Sequence, residues 1–184
     1  YRLKYVKELA KFAGKNFDKV FLLSGGSETT EAALKLMRLY SLKKKKRKPG
    51  IISLYGNYHG RTMGSQLMSG NDEQKKWMGY KDPNIHHLKF PYPNALKNKT
   101  PEIFFKESLK KLEKKIDIKK DICGIILETF QGWGAFFYPK KYVIAVKKFC
   151  KQNDIILTFD EMQSGFGRTG KKFGYEHYNV EPDI

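Results

Sequence analysis

Apolar positions in this chain follow two periods that alternate along its length. Residues 2 to 13 place Leu3, Val6, Leu9, Ala10 and Ala13 on one side of a 3.6-residue repeat, with Gly14 as a stop, which predicts a helix. "KVFLLS" (19–24) predicts a short apolar strand. "SGGSETTEAALKLMRLY" then leads through glycines into a second helix with Ser27 as its N-cap. "GIISLY" (50–55) predicts another strand, followed by "GNYHGRT" and a helical piece to about residue 69. Residues 70 to 101 read as loop, punctuated by Pro83, Pro91, Pro93 and Pro101. A charged amphipathic helix is predicted over 102–115, a strand over 122–128, a helix over 140–151 and a strand over 155–159. Apolar strands alternating with helices predict an α/β fold: a mostly parallel sheet with helices on both faces.

Sheets of this kind bind ligands at the carboxyl ends of their strands. Five segments follow such ends: Ser24 to Ser27, Gly56 to Gly60, Glu128 to Gly132, Asp160 to Gln163, and the glycine loop beyond. "SGGSE" ahead of a helix is either an anion cradle, with backbone N–H groups at a helix start, or an ordinary turn with a serine cap. The glycines at 165, 167 and 170 mimic a dinucleotide fingerprint and, with Lys171, most of a phosphate loop. "DEMQS" separates them from the strand, however, and "KKFGYEHY" is a poor helix, so both motifs are rejected.

Asp160 ends an apolar strand, where a carboxylate needs a cation. The candidates are a salt bridge to Arg168, a helix cap, or a buried cation belonging to a ligand, such as a protonated ring nitrogen. Tyr58 in "NYHG" is placed to stack on a flat ring, and His59 to fix the turn beside it. A phosphate cradle, a ring-facing aromatic and an acid together describe a site for a phosphorylated heteroaromatic cofactor, of which pyridoxal phosphate is one. Glu128 closes its strand as Asp160 does, either as a loop-fixing acceptor or behind the site. His86-His87 has no cysteine or spaced third ligand near it, which argues against a metal site.

Composition changes this picture little. The 184 residues include 36 basic and 19 acidic side chains, a formal net charge of +17, which raises a basic nucleic-acid-binding domain as a reading from another class. One block, Lys43 to Lys48, is dense in charge, but interleaved aromatic and basic residues are not apparent. Cys123 and Cys150 sit singly in apolar segments and read as reduced core thiols of a cytoplasmic chain. There is no apolar run near the length of a membrane span. The start, "YRLKYVKELAKF", has neither an initiator Met nor a signal peptide, and reads as a cut end.

Four segments in order, "SGGSETTEAALKL" (24–36), "YHGRT" (58–62), "LETFQGWGA" (127–135) and "FDEMQSGFGRTGKKFGYEHYNVEPDI" (159–184), resemble the class III aminotransferases, pyridoxal-phosphate enzymes of fold type I. The likeness runs over nearly the whole chain, although members of that family are more than twice as long. It implies that residues 1–184 form part of the large, cofactor-binding domain of a homodimeric enzyme that exchanges an amino group between an amine or amino acid and an oxo acid. Related aminomutases, racemases and decarboxylases are the alternatives. By resemblance, Gly26 and Ser27 hold the cofactor phosphate, Tyr58 stacks on one ring face and Met162 packs near the other. Asp160 pairs with the pyridinium nitrogen and Gln163 hydrogen-bonds the phenolic oxygen. Glu128, His59 and Arg168 stand behind them.

Three departures from the family pattern stand out. Thr30 occupies a usual Asn position. Trp133 stands where many members carry a Glu that partners a substrate-gating arginine, which implies a narrower pocket or a more apolar donor. The Schiff-base lysine is expected beyond Ile184, together with the small C-terminal domain. Lys171 and Lys172 are loop residues and not its substitutes. The segment alone is expected to be inactive.

Overall fold

In the computed structural model, residues 1–45 and 49–184 are described. Lys46, Arg47 and Lys48 of the basic block lie outside them. In chain order the elements begin with α1 (Arg2–Ala13), α2 (Gly26–Lys43), β1 (Gly50–Leu54), α3 (Met63–Met68), β2 (Ile85–Leu88) and α4 (Pro93–Leu96). There follow α5 (Pro101–Glu113), α6 (Ile118–Asp121), β3 (Ile122–Glu128), the short pair β4 (Phe130–Gln131) and β5 (Phe136–Phe137), α7 (Lys140–Asn153) and β6 (Ile156–Asp160).

β1, β2, β3 and β6 form one sheet in the order β2-β1-β3-β6, with every pairing parallel. The alternation along β3 explains why the sheet needs cover on both faces. Ile122, Ile125 and Leu127 join one core with Phe105, Leu109, Tyr142 and Val146 from α5 and α7. Cys123 and Ile126 join a second core with Leu34 and Met37 from α2, and with Met68 of α3. Consecutive side chains on a strand point to opposite faces, so an apolar run of this length is stable only between two helical layers. Both cysteines are buried and free. No helix among the described residues is long and apolar enough to cross a membrane.

Several expectations need correction. Residues 19–24 are not a strand: no strand among the described residues pairs with them, and Phe21 and Leu23 are exposed. An extended segment becomes a strand only when a neighbour satisfies its backbone groups. Conversely, β2 lies inside the stretch read as loop. Its "IHHL" carries little apolar signal, yet Ile51 pairs with Ile85 and Leu54 with Leu88 along the sheet edge. Ser27 is not the N-cap of α2. That position belongs to Gly25, and Glu28 Oε2 accepts from the backbone N–H groups of Ser24 and Gly25, each at 2.9 Å. The helix at 2–13 forms as expected, with Val6, Leu9, Ala10 and Ala13 of its apolar side half-buried and none fully buried.

Candidate functional site

Parallel register fixes the site. Glu128 and Asp160 are register partners at the ends of β3 and β6, and the β1–α3 loop carrying Tyr58 and His59 leaves the same end of the sheet. At that end a cavity of about 370 Å³ is lined by Gly26, Ser27, Tyr58, His59, Gly60, Glu128, Asp160, Met162 and Gln163. The volume suits a small cofactor. A larger cavity of about 780 Å³ lies at the β2 edge, and its charged groups include the Asp72–Lys75 and Glu73–Lys76 pairs.

The start of α2 meets the Tyr58 loop through named bonds. Thr30 Oγ1 lies 2.6 Å from the His59 carbonyl and 2.9 Å from the Ser27 carbonyl, donating to them. Thr30 thus ties the helix start to the loop. Ser27 Oγ accepts from the Arg61 N–H at 3.1 Å. Gly60, at φ +124°, allows this approach, since a Cβ there would collide with Ser27 Oγ. As the first residues of the helix, Gly26, Ser27 and Glu28 have N–H groups with no intrahelical acceptor, at the positive end of the helix dipole. Met162 packs directly over Gly26.

Asp160 is answered by His59, not by Arg168. His59 Nδ1 lies 2.9 Å from Asp160 Oδ2, with the two side chains 0% and 6% exposed. The Met162 N–H donates to Asp160 Oδ1 at 3.1 Å. Glu128 accepts from the Tyr58 N–H (2.9 Å) and the Gly132 N–H (3.3 Å). Burial pushes its carboxyl up to about 7, against the pull of those N–H groups and of His59.

All six expected cofactor residues, with Glu128 and His59, therefore share one cavity wall. Arg168 does not: its side chain is exposed and lies outside that wall. Trp133, 57% exposed, tops the turn between β4 and β5 and lines a neighbouring cavity of about 410 Å³ with Tyr58, Asn57, Tyr92 and Gln131. No group of three or more His, Cys, Asp or Glu among the described residues is arranged to hold a metal ion.

Sequence reading missed two organising carboxylates. Glu161 accepts from the N–H groups of Gly174 and Tyr175, each at 2.8 Å, and from Ser164 Oγ at 2.7 Å, folding the glycine loop back against β6. Glu31 of α2 accepts from Thr62 Oγ1 at 2.6 Å and Gly64 N–H at 2.7 Å, fixing the start of α3. Their only sequence signal is an acid beside a turn. Their partners are distant in sequence.

The site fits a phosphorylated, cationic ring. Its lining combines helix-start N–H groups, an aromatic, a methionine and the buried Asp160 carboxylate.

An acetylornithine aminotransferase from Caldanaerobacter subterraneus subsp. tengcongensis is 37% identical over 181 residues, covering 96% of this chain and 42% of the relative. Among solved structures, an (S)-enantioselective omega-transaminase from Thermomicrobium roseum superposes with a TM-score of 0.87 at 31% identity, over 98% of this chain and 41% of that one. A PLP-bound amine transaminase from an uncultivated Pseudomonas species gives a TM-score of 0.83 at 30% identity, covering 96% and 42%. The chain thus spans about two-fifths of the length of the curated relatives it matches. The family description "Aminotransferase class-III" matches residues 2–184, and the chain belongs to that family.

Proposed function

We propose that this chain is part of the large, cofactor-binding domain of a pyridoxal-phosphate-dependent aminotransferase. The whole protein moves an amino group from an amine or amino acid to an oxo acid. One observation carries the reading: Gly26, Ser27, Tyr58, Asp160, Met162 and Gln163, spread over 137 positions of sequence, line a single cavity. Class III aminotransferases depend on pyridoxal phosphate. When bound, this group supplies an electron sink for the carbanion left when the substrate loses its α-proton.

The chain's residues divide the remaining work. The N–H groups of Gly26 and Ser27 hold the phosphate at the start of α2. Tyr58 and Met162 grip the two faces of the ring. Asp160 would face the ring nitrogen, with His59 holding its Oδ2 in place. Gln163 donates to the phenolic oxygen. Trp133 narrows the substrate side, favouring a more apolar donor. The lysine that anchors the cofactor and carries the proton belongs to the segment following Ile184, together with the small domain, and the working unit is a homodimer. A cytoplasmic setting accords with two buried free thiols.

The test is a full-length preparation loaded with pyridoxal phosphate and given a nitrogen-15-labelled amine donor with an oxo-acid acceptor. Transfer of label to the acceptor, with a shift of the cofactor's visible band, supports the reading. A band shift with label retained on the donor's own carbon skeleton would make the protein a mutase, racemase or decarboxylase. No band in a folded preparation would remove the cofactor altogether.

A further inference from the structure

Glu128 does something that the cavity's chemistry does not require of it. Its two oxygens reach in different directions: Oε2 takes the N–H of Tyr58 in the β1–α3 loop, and Oε1 takes the N–H of Gly132 in the turn that carries Trp133. These two segments are 74 residues apart in sequence. Gly132 in turn holds a further wall, because the amide end of Gln163 lies so close that a Cβ at 132 would collide with it. One carboxylate thus ties together the loop bearing Tyr58, the turn bearing Trp133 and the seat of Gln163.

We propose that Glu128 is a positioning residue whose negative charge clamps the Tyr58 loop and the Trp133 turn together, setting the width of the cofactor and substrate cavities. This rests on the aminotransferase reading for what the cavities hold, but the clamp itself is a property of the bare chain. A carboxylate accepts both N–H groups as charge-assisted bonds, and a neutral acid accepts them more weakly. The groups facing Glu128 are His59 from the β1–α3 loop, Asp160 from β6 and Tyr138 beyond β5. Burial places the carboxyl's own midpoint at about 7. Both segments therefore respond together as this one carboxyl titrates.

The emission that the full-length protein loses on Trp133→Phe isolates the Trp133 signal, whose side chain is 57% exposed. Measured without cofactor, that signal is expected to titrate with a midpoint near 7, and Glu128→Gln is expected to abolish the transition. Hydrogen exchange supplies a second measurement on the unmutated chain. Protection of the Tyr58 and Gly132 amides is expected to change together, by the same factor, as the carboxyl titrates, while the Thr29 amide, bonded to the Gly25 carbonyl, holds steady. A transition that survives Glu128→Gln would overturn the proposal, as would independent behaviour of the two amides. Because neither readout uses the cofactor, failure here leaves the aminotransferase reading standing. Conversely, loss of cofactor binding in the full-length protein would leave the clamp intact.

Discussion

Replacing Asp160 by Asn tests the centre of the site. The side chain is 6% exposed, and its oxygens meet the His59 ring at 2.9 Å and the Met162 N–H at 3.1 Å. An amide of the same shape keeps an oxygen for Met162 and a polar group for His59, so the fold retains its bonds and loses only their charge. Hydrogen bonds to a charged group contribute roughly 1.5–3 kcal/mol and neutral ones roughly 0.5–1.5 kcal/mol, so stability is expected to fall by about 1 kcal/mol. Asp160→Ala strands a buried imidazole as well, and is expected to cost about 3 kcal/mol. The same substitution acts on the cofactor through charge alone. Exchanging an ionic bond to the ring nitrogen for a neutral one is expected to weaken binding by about 1–2 kcal/mol, roughly 5- to 30-fold. Urea unfolding reads the first effect, and titration of the full-length protein with pyridoxal phosphate, followed by its visible absorbance, reads the second. If Asp160→Asn binds cofactor as tightly as the parent, the carboxylate does not face a cationic nitrogen, and the assignment of the cavity fails with it.

Three further outcomes follow from the same geometry. Gly60→Ala puts a Cβ into Ser27 at a positive φ, and thermal unfolding is expected to show a loss of about 2–4 kcal/mol. Glu161→Ala leaves the N–H groups of Gly174 and Tyr175 without their acceptor, at a cost of about 3 kcal/mol. Limited proteolysis should then cut the 163–173 loop first. The Glu128 carboxyl rises from an ordinary 4.5 to about 7 on folding, so its contribution is present below about pH 4.5 and is lost as pH rises through about 7. Burial of the charge is expected to lower stability by about 3 kcal/mol over that window, a slope that Glu128→Gln removes in urea titrations between pH 5 and pH 8.

The chain's periodicity alone was enough to set the architecture. Long apolar runs such as 122–128 can be buried only from both sides, which forces a parallel sheet between helices, and the acids and glycines that follow these runs mark the strand ends where a ligand binds. Local pattern failed where partnership decides structure. Residues 19–24 look like a strand but find no neighbour, whereas "IHHL" looks like loop and becomes one because β1 offers it an edge. The same limit applies inside the site. The "FDE" stretch announces a buried acid, yet only the folded chain chooses His59 over Arg168 to answer it, because the β1–α3 loop arrives at the end of β6 while Arg168 turns toward solvent. Glu128 was legible as a strand-end acid, but Glu161 and Glu31 were beyond reach: each bonds backbone N–H groups whose positions depend on how loops close, and chain spacing carries no record of that closure.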